Sequence, residues 1–295
     1  MMKGVTMKLR PAGSRTYYIE HSTNIGVYII SDRKVCLIDT GRNGDGEKID
    51  ELISSEGWEI EYIINTHTHI DHLGGNRYLM GKYHVPAYCA DIEIPFAHCS
   101  ELEAAYMNGG KPCRKLREVF THTGRMGFRS VETSYEGDLQ WIYLPGHSFG
   151  MIGVKTPDDV WFTADAYMGR DGLKRHSFAY MCDVEAYMNT LEKIKTLEGR
   201  LFIPSHGDAE ESAMETAELN LEKTRDTIDL IRDICSEEIS LDDILKQLYM
   251  RLEMRTNIVN HALISSTAKC YLTYLQDRGE LECSFSDCIL HWKRV

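Results

Sequence analysis

Thr66-His67-Thr68-His69-Ile70-Asp71-His72 is the stretch on which the reading of this chain turns. It follows directly on Tyr62-Ile63-Ile64-Asn65, a β-branched and aromatic run that reads as a strand. In an extended chain alternate side chains share a face, so His67 and His69 point the same way, toward one metal ion. Asp71 continues that parity if extension persists. His72 breaks it, so the backbone has to turn there, and His72 aims at a second centre beside the first. Leu73-Gly74-Gly75-Asn76 supplies flexibility for the turn. Imidazole and carboxylate suit zinc, iron and manganese; with no cysteine in the run, a thiolate-rich structural site is excluded.

Three further residues repeat one placement. His147 follows Trp141-Ile142-Tyr143-Leu144, Asp165 follows Val160-Trp161-Phe162, and His206 follows Leu201-Phe202-Ile203-Pro204. Each stands where a strand-like run ends and a small residue permits a tight turn. Strand ends gather at one edge of a sheet layer, where α/β proteins place their sites. Singly each is an ordinary turn residue; in this order, behind the first motif, they form a set. Asp39, in Leu37-Ile38-Asp39-Thr40-Gly41, shares the placement. It reads either as a hydrogen-bonding support for the ligand loop or as a plain turn.

The 295 residues suffice for one large domain, or a catalytic domain with an appendage. A formal net charge of -12 disfavours nucleic acid as a partner. No signal peptide or membrane span is read, so a small-molecule substrate and a cytoplasmic location are expected. Oligomeric state stays open, a homo-oligomer included. The nine scattered cysteines contain no CxxC pair and read as reduced, mostly buried thiols.

Residues from about 15 to 210 alternate strand-like runs, such as Tyr28-Ile29-Ile30 and Val35-Cys36-Leu37-Ile38, with helical stretches. Thr156-Pro157-Asp158-Asp159 reads as a hairpin turn, and Val184 to Thr196 as a helix. The polar stretch 91–129, with a basic cluster from Lys111 to Arg117, reads as an insertion that either lines a pocket or is a solvated excursion. The boundaries drawn are 1–210 for a catalytic domain and 211–295 for a helical region. In the latter, residues 209–235 are expected as one helix. Another helix starts at Ser240-Leu241-Asp242-Asp243, and a last one runs from Ser266 to Arg278 and stops at Gly279. A hairpin around Ser286-Asp287 completes a winged-helix-like order.

Together, Asp39-Thr40-Gly41, His67-Thr68-His69-Ile70-Asp71-His72, His147, Asp165 and His206 resemble the metallo-β-lactamase superfamily. That resemblance implies an α/β, four-layer αββα sandwich with metals at one edge of the two sheets. It implies that His67, His69 and His147 hold a first metal and Asp71, His72 and His206 a second, with Asp165 bridging. Two divalent ions are implied, zinc first, with iron or manganese as alternatives. The implied activity is glyoxalase-II-like hydrolysis of a small ester, thioester or related acyl substrate by a hydroxide shared between the metals, with Asp71 orienting it and shuttling its proton. A phosphodiesterase or nuclease using the same centre is the runner-up, and an iron redox protein or a metal-binding regulatory module comes after it. The oxygen-reducing diiron branch carries an acid at the position of His69, which disfavours it. Lys174 and Arg175 read as anion-binding candidates, and His176 as pocket-facing or an exposed loop residue. Tyr167 reads as a hydrogen-bond donor to substrate or a packing residue. His21, His84, His98, His122, His261 and His291 read as structural or exposed.

Overall fold

The computed structural model describes residues 7–121 and 126–295; His122 lies outside them. The first sheet has seven strands in chain order: β1 (Lys8–Pro11), β2 (Thr16–Glu20), β3 (Ile25–Ser31), β4 (Lys34–Ile38), β5 (Glu59–Ile64), β6 (Ala87–Cys89) and β7 (Phe128–Ser130). The first four pair antiparallel, and β4 to β7 run parallel. Parallel neighbours need crossovers. These are α1 (Gly46–Ser55), then α2 (Ile70–Leu73) with α3 (Asn76–Tyr83), then α4 (Ile94–His98), α5 (Ser100–Asn108) and α6 (Arg114–Phe120). The 91–129 stretch is thus the β6–β7 crossover, and its last residues belong to a strand of the main sheet.

A short helix α7 (Val131–Ser134) leads to the second sheet. Its strands are β8 (Gln140–Tyr143), β9 (Ile152–Lys155), β10 (Val160–Ala164) and β11 (Leu201–Pro204), ordered β11-β10-β9-β8. The expected turn closes β9 onto β10, with Thr156 and Val160 joined by a backbone hydrogen bond. Helices α8 (Arg170–Arg175) and α9 (Val184–Thr196) cross over to the parallel β11.

Side-chain alternation explains the layers. On β4, Val35 and Leu37 enter a cluster with Ile49, Ile53 and Leu79 of α1 and α3. Cys36 and Ile38 enter another, with Ile152, Val154, Val160 and Phe162 of the second sheet. Strands buried on both faces carry unbroken apolar runs rather than alternating ones. The outer face of the second sheet, Trp161 and Phe202, packs under α9 through Leu191 and Ile194. The order is helix, sheet, sheet, helix.

The remaining chain forms α10 (Met214–Ile234), β12 (Ile239–Ser240), α11 (Leu241–Arg251), α12 (Ile258–Asp277), β13 (Leu281–Ser286) and β14 (Ile289–Arg294). This element order, with a three-stranded sheet ordered β12-β14-β13, is that of a winged helix. Ile228, Ile231 and Leu272 share the cluster of Leu191 and Phe202, so the region is packed onto the second sheet's helix layer. Helix α10 begins at Met214 rather than 209, because Glu210 exchanges two backbone hydrogen bonds with Phe202 and extends the sheet edge. Helix α12 begins eight residues before the expected Ser266, where the Asn257 side chain accepts hydrogen bonds from Val259 and Asn260 N–H. It ends as expected, with Gly279 left-handed. All nine cysteines are free, but four are exposed and three fully buried, so the expectation of mostly buried thiols is not met. Among the described residues no helix is long and apolar enough to cross a membrane.

Candidate metal centre

The strand ends of both sheets deliver the site. Strand β5 stops at Ile64, the chain bends at Thr66-His67, and His69 is extended just before a helix begins. His67 and His69 share a group with His147, although the bend between strand and helix, rather than strict extended parity, places them. Helix α2 starts at Ile70, so Asp71 does not continue the extended parity. On that helical turn Asp71 and His72 instead face His206 and form a second group with it. Gly74 and Gly75 do not act through flexibility, since Gly74 has ordinary helical angles. A Cβ on Gly74 would sit 2.2 Å from the backbone of Arg42 and Asn43, and one on Gly75 2.6 Å from Thr40 O. They let the ligand turn press against the loop that follows Asp39.

In the first group, His69 Nδ1 lies 3.0 Å from His67 Nε2 and 2.9 Å from His147 Nε2. Asp165 Oδ2 lies 3.2 Å from His147 Nε2 and 3.5 Å from His206 Nε2, while its Oδ1 is 3.4 Å from His72 Nε2. Its carboxylate therefore stands between the two groups. Asp71 Oδ2 is 3.4 Å from His206 Nε2.

The opposite nitrogen of every one of these histidines is tied down. Thr66 Oγ1 is 3.1 Å from His67 Nδ1, and Glu103 Oε1 3.3 Å from His69 Nε2. Asp39 Oδ2 is 2.9 Å from His72 Nδ1. The carbonyls of Tyr180 and Ser22 accept from His147 Nδ1 (3.1 Å) and His206 Nδ1 (2.9 Å). Each ring thus turns its other nitrogen inward, the arrangement by which outer partners orient metal ligands. Asp39 takes the supporting position: it also accepts from Thr66 N and Oγ1, both at 2.8 Å.

Two inward atoms, His72 Nε2 and Asp165 Oδ1, are buried with no hydrogen bond. Buried polar atoms without hydrogen bonds are costly, and these two face each other across 3.4 Å, so the donor set fits divalent cations. Electrostatics splits the groups. Burial, then the neighbouring imidazoles, hold His67 far below the ordinary imidazole range; burial and His147 bring His69 down to about 3. Burial opposes charge at His206 too, but Asp165 and Asp71 outweigh it and push its pKa up to about 10. His72 is raised in the same way, by Asp165 and Asp39. The first group thus offers three neutral lone pairs, and the second balances imidazoles against carboxylates.

Two acids of the β6–β7 crossover are additions that sequence reasoning missed. Buried Glu93 accepts from Thr68 N (3.2 Å) and Oγ1 (2.6 Å), Ser148 Oγ (2.8 Å) and Gly150 N (2.8 Å). It ties the loop of His67 and His69 to the loop of His147. Glu103, also buried, is the partner of His69. Nothing in the local pattern of a polar, acid-containing stretch separates these two from its exposed acids. Of the two readings of this stretch, the pocket-lining one holds: Glu93, Phe96, Glu103 and Tyr106 line a cleft beside the first group.

The other candidates lie away from the cleft beside the first group. Lys174 is exposed and pairs with Asp171 on its own helix, and Arg175 is exposed, while His176, also exposed, stands near the second group, where burial, Arg175 and His206 lower its pKa. Tyr167 is buried in the outer hydrophobic cluster, where it packs rather than meets substrate. His21 lies 3.4 Å from Asp45, His98 accepts from Phe128 N, His84 is a left-handed helix cap, and His261 is exposed. His291 Nδ1 lies 3.0 Å from Ile289 O, in the terminal hairpin.

A family model described as the metallo-beta-lactamase superfamily matches residues 19–206. The probable metallo-hydrolase YqgX of Bacillus subtilis is 26% identical over 61% of this chain and 83% of its own length. A hydroxyacylglutathione hydrolase of Brucella ovis is 32% identical, over 50% of this chain and 49% of its own length. A solved metallo-beta-lactamase family protein from Thermus thermophilus is 15% identical, with a TM-score of 0.71 over 99% of both chains.

Proposed function

The chain belongs to the metallo-β-lactamase superfamily, and from that premise we propose that it is a metal-dependent hydrolase of small ester, thioester or related acyl substrates. The observation that carries the reading is the pair of converging donor groups with Asp165 between them. His67, His69 and His147 would hold one divalent ion and Asp71, His72 and His206 another, with zinc the first choice for imidazole and carboxylate donors. When bound, such ions supply Lewis acidity and a water acidified toward neutral pH. Asp71, the most open of the carboxylates at 25% side-chain exposure, orients the attacking water, takes its proton and returns it to the leaving group. His67 and His72, fully buried, exclude bulk water from the inner side.

Acyl chemistry is preferred over phosphodiester cleavage because the cleft beside the first group has no lysine or arginine in its lining. Phosphate recognition relies on such cations. The test is elemental analysis of the purified chain, then parallel thioester and phosphodiester panels on the metal-loaded form. Metal at about two ions per chain is expected, with thioester turnover that His67→Ala and Asp71→Asn abolish. Metal far below one per chain, not restored by added zinc, iron or manganese, defeats the proposal; so does turnover confined to phosphodiesters.

A further inference from the structure

We infer that the cleft beside the first histidine group selects an uncharged aromatic or apolar group of the substrate, next to the bond that is cut; this rests on the hydrolase reading above. His69 and His147 form one end of the cleft, and Phe96, Tyr106, Phe149 and Tyr180 form its walls. Tyr180 joins the two parts, its ring centroid 5.5 Å from those of both His69 and His147. Phe149 stacks on Phe96 at 6.5 Å and meets Tyr106 edge-on at 5.3 Å. Phe149 and Tyr106 nevertheless keep 42% and 40% of their surface open. Both rings line the cleft that His69 and His147 close; its own cavity of about 20 Å³ is too small for a ring, so a bound ring would lie over their open surface with the tilted contacts aromatic groups prefer.

Charge selects in the same direction. Apart from the two histidines, the lining contains two acids, Glu93 and Glu103, and no lysine or arginine. Glu93 already accepts four hydrogen bonds, and Glu103 faces His69. An anionic substituent entering the cleft meets two acids and no lysine or arginine, the ion that His69 and His147 would hold being taken up by the scissile group. A cationic one finds both carboxyl groups engaged. A neutral ring meets neither cost, since its burial strips no charge of water.

The test uses the full chain, loaded with zinc, and thioesters that share the neutral thiol N-acetylcysteamine and differ only in the acyl group. The value of kcat/KM is expected to fall about tenfold from phenylacetyl to acetyl, and further for succinyl. Phe149→Ala and Tyr106→Ala should each shrink the phenylacetyl-to-acetyl ratio, and Phe149→Lys should raise succinyl relative to acetyl. A second arm needs no turnover: saturation-transfer NMR with fluorophenylacetamide should show binding that Tyr106→Ala and Phe149→Ala both weaken, and succinamate should show none. Succinyl handled as well as phenylacetyl, or ring binding that is absent or survives both alanine variants, overturns the pocket. No turnover of any thioester while the ring still binds in this manner defeats the hydrolase reading and upholds the pocket.

Discussion

Asp39 holds a left-handed backbone with φ 64, a conformation that costs a non-glycine residue energy. Three hydrogen bonds, from Thr66 N, Thr66 Oγ1 and His72 Nδ1, hold it there. Asparagine tolerates this backbone but carries no charge, so Asp39→Asn should leave the fold intact and loosen His72. Metal affinity at the second group should drop about 10–100-fold, read by competition with a chelating dye. Glu93 sets a different balance. Glu93→Ala strands the hydroxyls of Thr68 and Ser148 and the Gly150 N–H in a buried space. A loss of about 2–4 kcal/mol is expected in urea melts, together with weaker metal binding at the first group. Unchanged stability would show that Glu93 does not hold the two loops together.

Between elements, one glycine and one carboxylate carry testable consequences. Gly146 has φ +119, and a Cβ there would lie 2.3 Å from the Tyr187 backbone of α9. Gly146→Ala should therefore push the His147 loop off α9 and cost about 2 kcal/mol or more, with metal binding at the first group lost first. On α1, Asp50 accepts hydrogen bonds from Tyr78, Lys82 and Tyr83 of α3. Burial works to raise its pKa, but these bonds outweigh it, and the folded value lies below the ordinary one. The stabilisation is complete above the unfolded carboxylate pKa of about 4 and fades as pH falls through the lower folded value. Asp50→Asn should lower stability by about 1–2 kcal/mol at pH 7. The difference from wild type should shrink in melts taken below that range.

At the level of the whole molecule, the outer cluster binds the αββα body to the winged-helix region. Trp161, Leu191 and Phe202 share it with Ile228, Ile231 and Leu272. A chain cut after residue 210 leaves the helix layer of the second sheet without α10 and α12. Such a fragment should bind a hydrophobic dye and lose near-ultraviolet circular dichroism. A fragment that melts cooperatively with full metal content would show that the first 210 residues fold alone.

The candidate donor set was legible because chemistry and position coincide at strand ends: His67, His69, His147, Asp165 and His206, which the fold brings together, are marked by a local apolar run and a turn. The layered fold was legible for a related reason, since runs such as Val35 to Ile38 must be buried on both faces. The same local logic failed at Asp71, where a helical turn starting at Ile70 replaced extended parity, and at Gly74 and Gly75, whose small size answers to the distant Thr40–Asn43 loop. It was silent on Glu93, Glu103 and Tyr180. Their roles come from contacts across chain separations of 25 residues or more, such as Glu93 to Thr68 and to Ser148, which no periodicity records. His67-Thr68-His69-Ile70-Asp71-His72 thus pointed by itself to a candidate metal site, and its histidines and acid do converge with His147 and His206. The aromatic cleft beside it exists only where the β6–β7 crossover, two ligand loops and the segment before α9 meet, because four separate stretches must fold before any of its walls stand together.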